Sequence, residues 1–382
     1  MAKAIYVHIP YCLKKCPYCD FASIADKNPP LDAYVSAVIR EMRLRLKEGS
    51  GPVSSVYFGG GTPSLLSARH IDKILGSVKK CFGVAEDAEI TVEANPETVS
   101  KEKLSEFYDA GINRISLGVQ SFQAKALKAL GRSTTAKRVG KSVEEAMSSP
   151  VANVSLDMIF GLWSRSEKSV RKDIDLFIKS RAPHISAYCL TIYDETPLGR
   201  KVKEGLCEYP EEDKAAAEYD LICDALKKAG YEQYEISNFA FPGMHSRHNA
   251  NYWLRKAYIG LGASAASFIE KAAGAPYGVR FRNEPDPDRY IKAVAAGDLP
   301  IKDMESVTGD EALAESIFLG MRMLRGISIS AIERRFGINF RSRYSKPLDL
   351  LIGLELIELI RDRLKLTRKG LFLSDEVFSY FV

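Results

Sequence analysis

The chain has 382 residues, of which 46% are hydrophobic and 27% charged, enough apolar material for two or three globular units and too much for a disordered chain. Its formal net charge of +5 is mild and excludes the concentrated basic excess of a dedicated nucleic-acid binder. The opening "MAKAIYVHIP" has no charged leader before an apolar run, and the late apolar segment "LDLLIGLELIELI" is broken by Glu355 and Glu358. Neither a secretory signal nor a bilayer span is expected, and the expectation is a soluble, cytoplasmic protein.

Residues 4–9 read as a strand and 32–48 carry a helical stripe. Strand 53–58, helix 67–82, strand 89–93, helix 100–109 and strand 113–119 follow, then helical stretches to about 148. Strand 153–160, helix 166–180 and strand 184–192 complete six β/α units, closed by helix 211–229. Such alternation predicts a parallel sheet with right-handed crossovers. Six units fall short of the eight of a closed barrel, so the expected fold class is α/β, a partial (β/α)6 barrel over residues 1–230. Beyond Gly230 the texture changes: 231–300 is rich in Gly, Pro, Asn and aromatics, and 308–325, 328–336 and 347–360 read as helices. The ending "RLKLTRKGLFLSDEVFSYF" suggests a winged-helix-like bundle, so 231–382 is expected as a C-terminal α+β unit. From Ile301 onward 13 Lys and Arg face 12 Asp and Glu, too balanced for phosphate-driven DNA binding, and a packing or substrate-covering module is expected.

Cys12, Cys16 and Cys19 fall within eight positions, whereas Cys81, Cys189, Cys207 and Cys223 are scattered singly. That pattern argues for a metal site plus inert thiols rather than a disulfide framework. Three thiolates on a loop after the first strand suit two centres: zinc completed by a histidine such as His8, or an iron–sulfur cluster with one iron left open. At the carboxyl ends of the other strands, where parallel β/α folds build their sites, stand Gly59, Gly60, Gly61 and Thr62, then Glu93, Gln120, Asp157 and Thr191. Each alone is a weak signal; together they line one rim. Arg132 in "ALGR" can pair with a carboxylate. In "HSRHNANYW", His248 either hydrogen-bonds in a loop junction or ligates haem iron beside Tyr252 and Trp253, with His245 a second choice. His70 and His184 are expected to be structural.

The C-x3-C-x2-C spacing with Tyr18 before the last cysteine resembles the signature of the radical S-adenosylmethionine superfamily. The resemblance implies a 4Fe–4S cluster on Cys12, Cys16 and Cys19, whose open iron chelates S-adenosylmethionine. "YVHIPYCLKKCPYC", "FGGGTPSLL", "GVQSF" and "DMIFGL" are together similar to the oxygen-independent coproporphyrinogen III oxidase family, from about Ala4 into the C-terminal domain. By spacing, Tyr6, Gly60, Gly61, Thr62, Glu93, Gln120, Arg132, Asp157 and Thr191 match positions that contact S-adenosylmethionine in that family, with Tyr18 beside them. The family has two S-adenosylmethionine sites. The true oxidase carries another cysteine two places after the third, and a long N-terminal arm; here that place is Phe21, and only five residues precede Tyr6. Both departures resemble the HemW-type haem-chaperone branch. This implies haem delivery to respiratory acceptor proteins, haem or a porphyrin as ligand, and ligation by His248 in a His-Asn-x-x-Tyr-Trp motif. The alternative is a radical enzyme that oxidatively decarboxylates coproporphyrinogen III. Peripheral membrane contact and a homodimer in the haem-loaded state are left open.

Overall fold

A computed structural model describes residues 4–45, 51–163 and 165–382. The fold starts with β1 (Ala4–Ile9) and α1 (Leu31–Leu44), followed by β2 (Val53–Gly60), α2 (Ala68–Phe82), β3 (Val84–Ala94), α3 (Lys101–Asp109) and β4 (Arg114–Gln120). Next come α4 (Ala124–Ala129), α5 (Ala136–Met147), β5 (Asn153–Phe160), α6 (Glu167–Ser180), β6 (His184–Cys189), α7 (Pro197–Lys203) and α8 (Glu212–Lys228). The end of the expected 32–48 helix, 46–48, lies outside the described residues. Strands β1 to β6 pair in parallel and in sequence, as the alternation predicts.

Within β1 the period of two is plain. Ile5, Val7 and Ile9 are fully buried in the main core, while Tyr6 and His8 point to the barrel interior, where Tyr6 packs on Tyr57. Helices α2, α3, α5, α6 and α7 begin at Ser67, Ser100, Thr135, Ser166 and Thr196, whose hydroxyls accept a first-turn N–H. The short strand signals after Gly230 extend the same sheet at both edges. They form β7 (Glu232–Gln233), β8 (Asn238–Ala240), α9 (Arg247–Trp253), β9 (Tyr258–Leu261), β10 (Ala266–Ile269), β11 (Val279–Asn283), α10 (Pro287–Ala296) and β12 (Ile301–Ser306). The full order is β12-β11-β10-β9-β1-β2-β3-β4-β5-β6-β8-β7, with β9 parallel to β1 and β8 antiparallel to β6. The result is an α/β partial barrel whose sheet stays open.

The C-terminal part has α11 (Gly309–Met321), β13 (Ile327–Ser328), α12 (Ile329–Phe336), α13 (Phe340–Arg343), α14 (Ser345–Gly353), β14 (Ile357–Ile360), β15 (Arg363–Leu366), α15 (Arg368–Phe372) and α16 (Ser374–Ser379). Here the expected helix 347–360 is two elements. The helix stops at Gly353, Glu355 takes a left-handed φ of 58°, and Ile357 and Leu359 then alternate against Leu366 and Leu364. A short apolar run suits either period, and the turn decides it. The expected strand 184–192 also stops early, at Cys189, leaving Thr191 in the loop above β6. Among the described residues no helix is long and apolar enough to cross a membrane.

Candidate functional site

A cavity of about 390 Å³ opens at the carboxyl ends of β1 to β6, within the range of small-molecule sites. Cys12, Cys16, Tyr18, Cys19, Gly60, Gly61, Thr62, Glu93, Gln120, Arg132, Asp157 and Thr191 all line it. Tyr6 does not reach its wall; its ring stacks on Tyr57 at 6.2 Å and its hydroxyl meets His8 Nδ1 at 3.0 Å.

The cysteine loop is braced from below and from the side. His8 Nε2 meets the Ala22 carbonyl at 2.8 Å, and Lys15 Nζ donates to the Phe21 and Ser23 carbonyls at 2.8 and 3.2 Å. A continuous hydrogen-bonded frame joins two of the thiols. Arg132 donates to Cys16 Sγ at 3.6 Å and to Asn95 Oδ1 at 2.8 Å, Asn95 Nδ2 donates to Thr62 Oγ1 at 3.1 Å, and Thr62 donates to Cys12 Sγ at 3.4 Å. Gly61 is required where it stands, since a Cβ there would lie 2.7 Å from the Tyr11 carbonyl oxygen and 3.0 Å from Cys12 Sγ. Phe21 is 58% exposed at the cavity rim and offers no metal ligand.

Two carboxylates form the floor. Tyr57 donates to Glu93 Oε1 at 2.8 Å and the Gly60 N–H to Oε2 at 3.2 Å. Burial pushes the Glu93 carboxyl up to about 7, despite the Tyr57 bond and with Asp157 adding to the rise. Ser116 donates to both oxygens of Asp157 at 3.0 and 3.1 Å, and burial pushes that carboxyl up to about 6. Burial likewise raises the Cys19 thiol.

The donor set bears on the two centres left open by spacing. The site of single-ion zinc needs its ligands gathered around one point, and among the described residues no three His, Cys, Asp or Glu side chains are so grouped. His8, the nearby fourth ligand, has both ring nitrogens engaged. Three thiols spread around one end of a roomy cavity fit a cluster, in which each sulfur binds a different iron. The three cysteines lining one cavity fit an iron–sulfur cluster.

Sequence reasoning missed Tyr57, Ser116 and Asn95. Tyr57 and Ser116 carry an available signal, since each occupies an inward position of a strand in register with residues already singled out. Asn95 follows Glu93 by two and was concealed because it lies just past the strand.

His248 lies at the opposite, amino-terminal end of the barrel. Its backbone N–H donates to Glu89 at 2.9 Å, and its ring nitrogens meet Ser55 Oγ at 2.9 Å through Nδ1 and Tyr252 OH at 2.9 Å through Nε2. The residue is 1% exposed, and burial, with Arg114 nearby, lowers its imidazole to about 3. Both ring nitrogens are thus hydrogen-bonded and the ring is buried, the arrangement of a hydrogen-bonded junction histidine. His245 is half-exposed and stacks on Tyr234 at 4.2 Å. His70 caps α2 and His184 is buried in β6, both in structural positions.

The radical SAM superfamily matches residues 6–177, and the HemN C-terminal domain family matches 307–373. The chain is 35% identical to a haem chaperone HemW of Lactococcus lactis, over 99% of this chain and 96% of that protein. The chain belongs to the HemW haem-chaperone family. HemW proteins of Bacillus subtilis, 33% identical over 100% of this chain and 99% of theirs, and of Escherichia coli, 38% identical over 69% of each, agree. Among solved structures, the E. coli coproporphyrinogen III oxidase HemN, a radical SAM enzyme, superposes with a TM-score of 0.83. It covers 99% of this chain and 89% of its own at 22% identity, a likeness of fold.

Proposed function

We propose that this chain is a haem chaperone that holds a 4Fe–4S cluster on Cys12, Cys16 and Cys19, binds S-adenosylmethionine in the adjoining cavity, and hands haem to respiratory acceptor proteins. The reading rests on one observation above others: a chain alike over its full length to HemW haem chaperones has Phe21, which cannot ligate iron, where the oxidase has a further cysteine. When bound, the cluster supplies a single electron and an open iron for the ligand's amino and carboxyl groups. The chain's own part is binding and orientation. Glu93 holds the ligand's ammonium or ribose, Asp157 the ribose hydroxyls, and Gly60 and Gly61 allow close backbone approach. Thr62 and Arg132 keep Cys12 and Cys16 aimed at the cavity. Tyr18, Gln120 and Thr191 complete its wall, and Tyr6 acts from behind it. A cytoplasmic setting with peripheral contact to anionic membranes, and a homodimer in the haem-loaded state, belong to the same proposal.

Anaerobic titration of cluster-loaded protein with haem tests it: near-stoichiometric uptake with a defined visible spectrum supports the chaperone, and uptake no greater than by a non-haem protein refutes it. The complete cavity favours a second reading, a radical enzyme acting on a tetrapyrrole. Incubation with coproporphyrinogen III, S-adenosylmethionine and a low-potential reductant decides between them. Decarboxylated porphyrin together with substrate-dependent 5′-deoxyadenosine would establish the enzyme; neither product, from protein that binds haem, leaves the chaperone.

A further inference from the structure

The residue that the motif offers to haem is tied instead to the cofactor cavity. His248 stacks under Tyr57 with ring centroids 4.9 Å apart and planes within 24°, and Tyr6 lies against both rings, at 6.2 Å from Tyr57 and 6.5 Å from His248. The hydroxyl of Tyr57 then reaches up to Glu93 Oε1 at 2.8 Å. Below, Ser55, Tyr252 and Glu89 pin the imidazole ring and its backbone, from β2, α9 and β3. The ring is therefore hydrogen-bonded at both nitrogens, and it carries the tyrosine that bonds to the carboxylate.

We infer that His248 is a positioning residue: its pinned ring holds Tyr57, and Tyr57 fixes Glu93 for the ligand of the cavity, so His248 serves that ligand and not haem iron. The inference rests on reading the cavity as the S-adenosylmethionine site. Glu93 is faced by Tyr6 from β1, Tyr57 from β2, Asp157 from β5 and Tyr252 from α9, with Arg114 of β4 further below. Among these, Tyr57 is the side chain that donates a hydrogen bond to the carboxylate. Losing that bond removes support from the charged form, so the carboxyl titrates higher and a cationic ligand binds less well at neutral pH.

The test uses cluster-reconstituted full-length protein, anaerobic calorimetry with S-adenosylmethionine over a range of pH, and a parallel haem titration. His248→Ala and Tyr57→Phe should each weaken S-adenosylmethionine binding about tenfold at neutral pH, the scale of a lost hydrogen bond to a charged group. Both should also move the pH midpoint of binding upward, which a general loss of packing would not do. His248→Phe keeps a ring under Tyr57 but loses the bonds to Ser55 and Tyr252 and cannot ligate iron; it should weaken S-adenosylmethionine binding by less than His248→Ala does and bind haem with undiminished stoichiometry. If His248→Ala fails to fold, Tyr57→Phe and His248→Phe carry the same readings. The inference is overturned if haem binding vanishes in His248→Phe, or if wild type and every variant bind S-adenosylmethionine equally. Wild-type protein that binds none would sink the cofactor reading and the inference with it.

Discussion

Glu93 and Asp157 sit together on the cavity floor, and burial raises both above their unfolded range, to about 7 and about 6. Their folded-state values being the higher ones, their contribution to stability is greatest below the unfolded carboxyl range and is lost as pH rises through 6 and 7. His248 and His184 act in the opposite sense, because burial lowers them: stability falls as pH drops below the unfolded imidazole value. A wild-type curve mixes the two, so the difference between variants is the useful quantity. Cofactor-free Glu93→Gln should be more stable than wild type by about 2 kcal/mol near pH 8, and the difference should fade by about pH 5; denaturant unfolding at the two pH values measures it. Cys12→Ala, Cys16→Ala and Cys19→Ala should each abolish the visible absorbance of reconstituted protein, since no spare cysteine lies on the loop. At this scale the sequence was informative about what lines the cavity, because strand-end position is a local property. It left His248 open between a hydrogen-bonded junction and haem ligation, because the partners of the imidazole are Ser55 and Tyr252, and Ser55 is far away in the chain.

The cysteine loop is the element on which the site depends, and its docking is as specific as its ligands. The Leu198 N–H of α7 donates to the Pro17 carbonyl at 2.9 Å, and Gly131 closes over Pro17 with a left-handed φ of 65°, where a Cβ would lie 2.6 Å from the proline ring. Gly131→Ala should therefore destabilise the protein by about 2 kcal/mol, from backbone strain plus overpacking. Reconstituted cluster should also be lost faster in air; thermal melts and absorbance decay check both. The six β/α units were legible because each strand and helix repeats its own period over enough residues. Residues 347–360 were not, since Leu351, Leu356, Ile357 and Leu359 satisfy helix and strand alike until Glu355 turns the chain. Nor did local pattern show that 231–306 pairs onto both edges of the sheet, because β9 beside β1 is a contact between distant parts of the chain.

At the scale of the molecule, a buried polar knot fastens the late strands to the first helix. Glu41 of α1 accepts from Arg45 Nε, Asn283 Nδ2 and Tyr290 OH, each at 2.7 Å, and from the Gly262 N–H at 2.9 Å. Both charged side chains are fully buried. Glu41→Ala would remove the acceptor that Asn283, Tyr290 and the Gly262 N–H share with Arg45, and should cost about 3 kcal/mol in denaturant unfolding. The fold so assembled is shared with a coproporphyrinogen III oxidase, so architecture does not separate the two activities; the family relationship does. The most direct measurement is haem handover: anaerobic, cluster-loaded protein carrying haem is mixed with an apo-cytochrome of the respiratory membrane, and the acceptor's spectrum is followed. The account predicts transfer that is faster than from free haem and is lost in Cys16→Ala. Haem that stays on the chain, or transfer indifferent to the cluster, would contradict it.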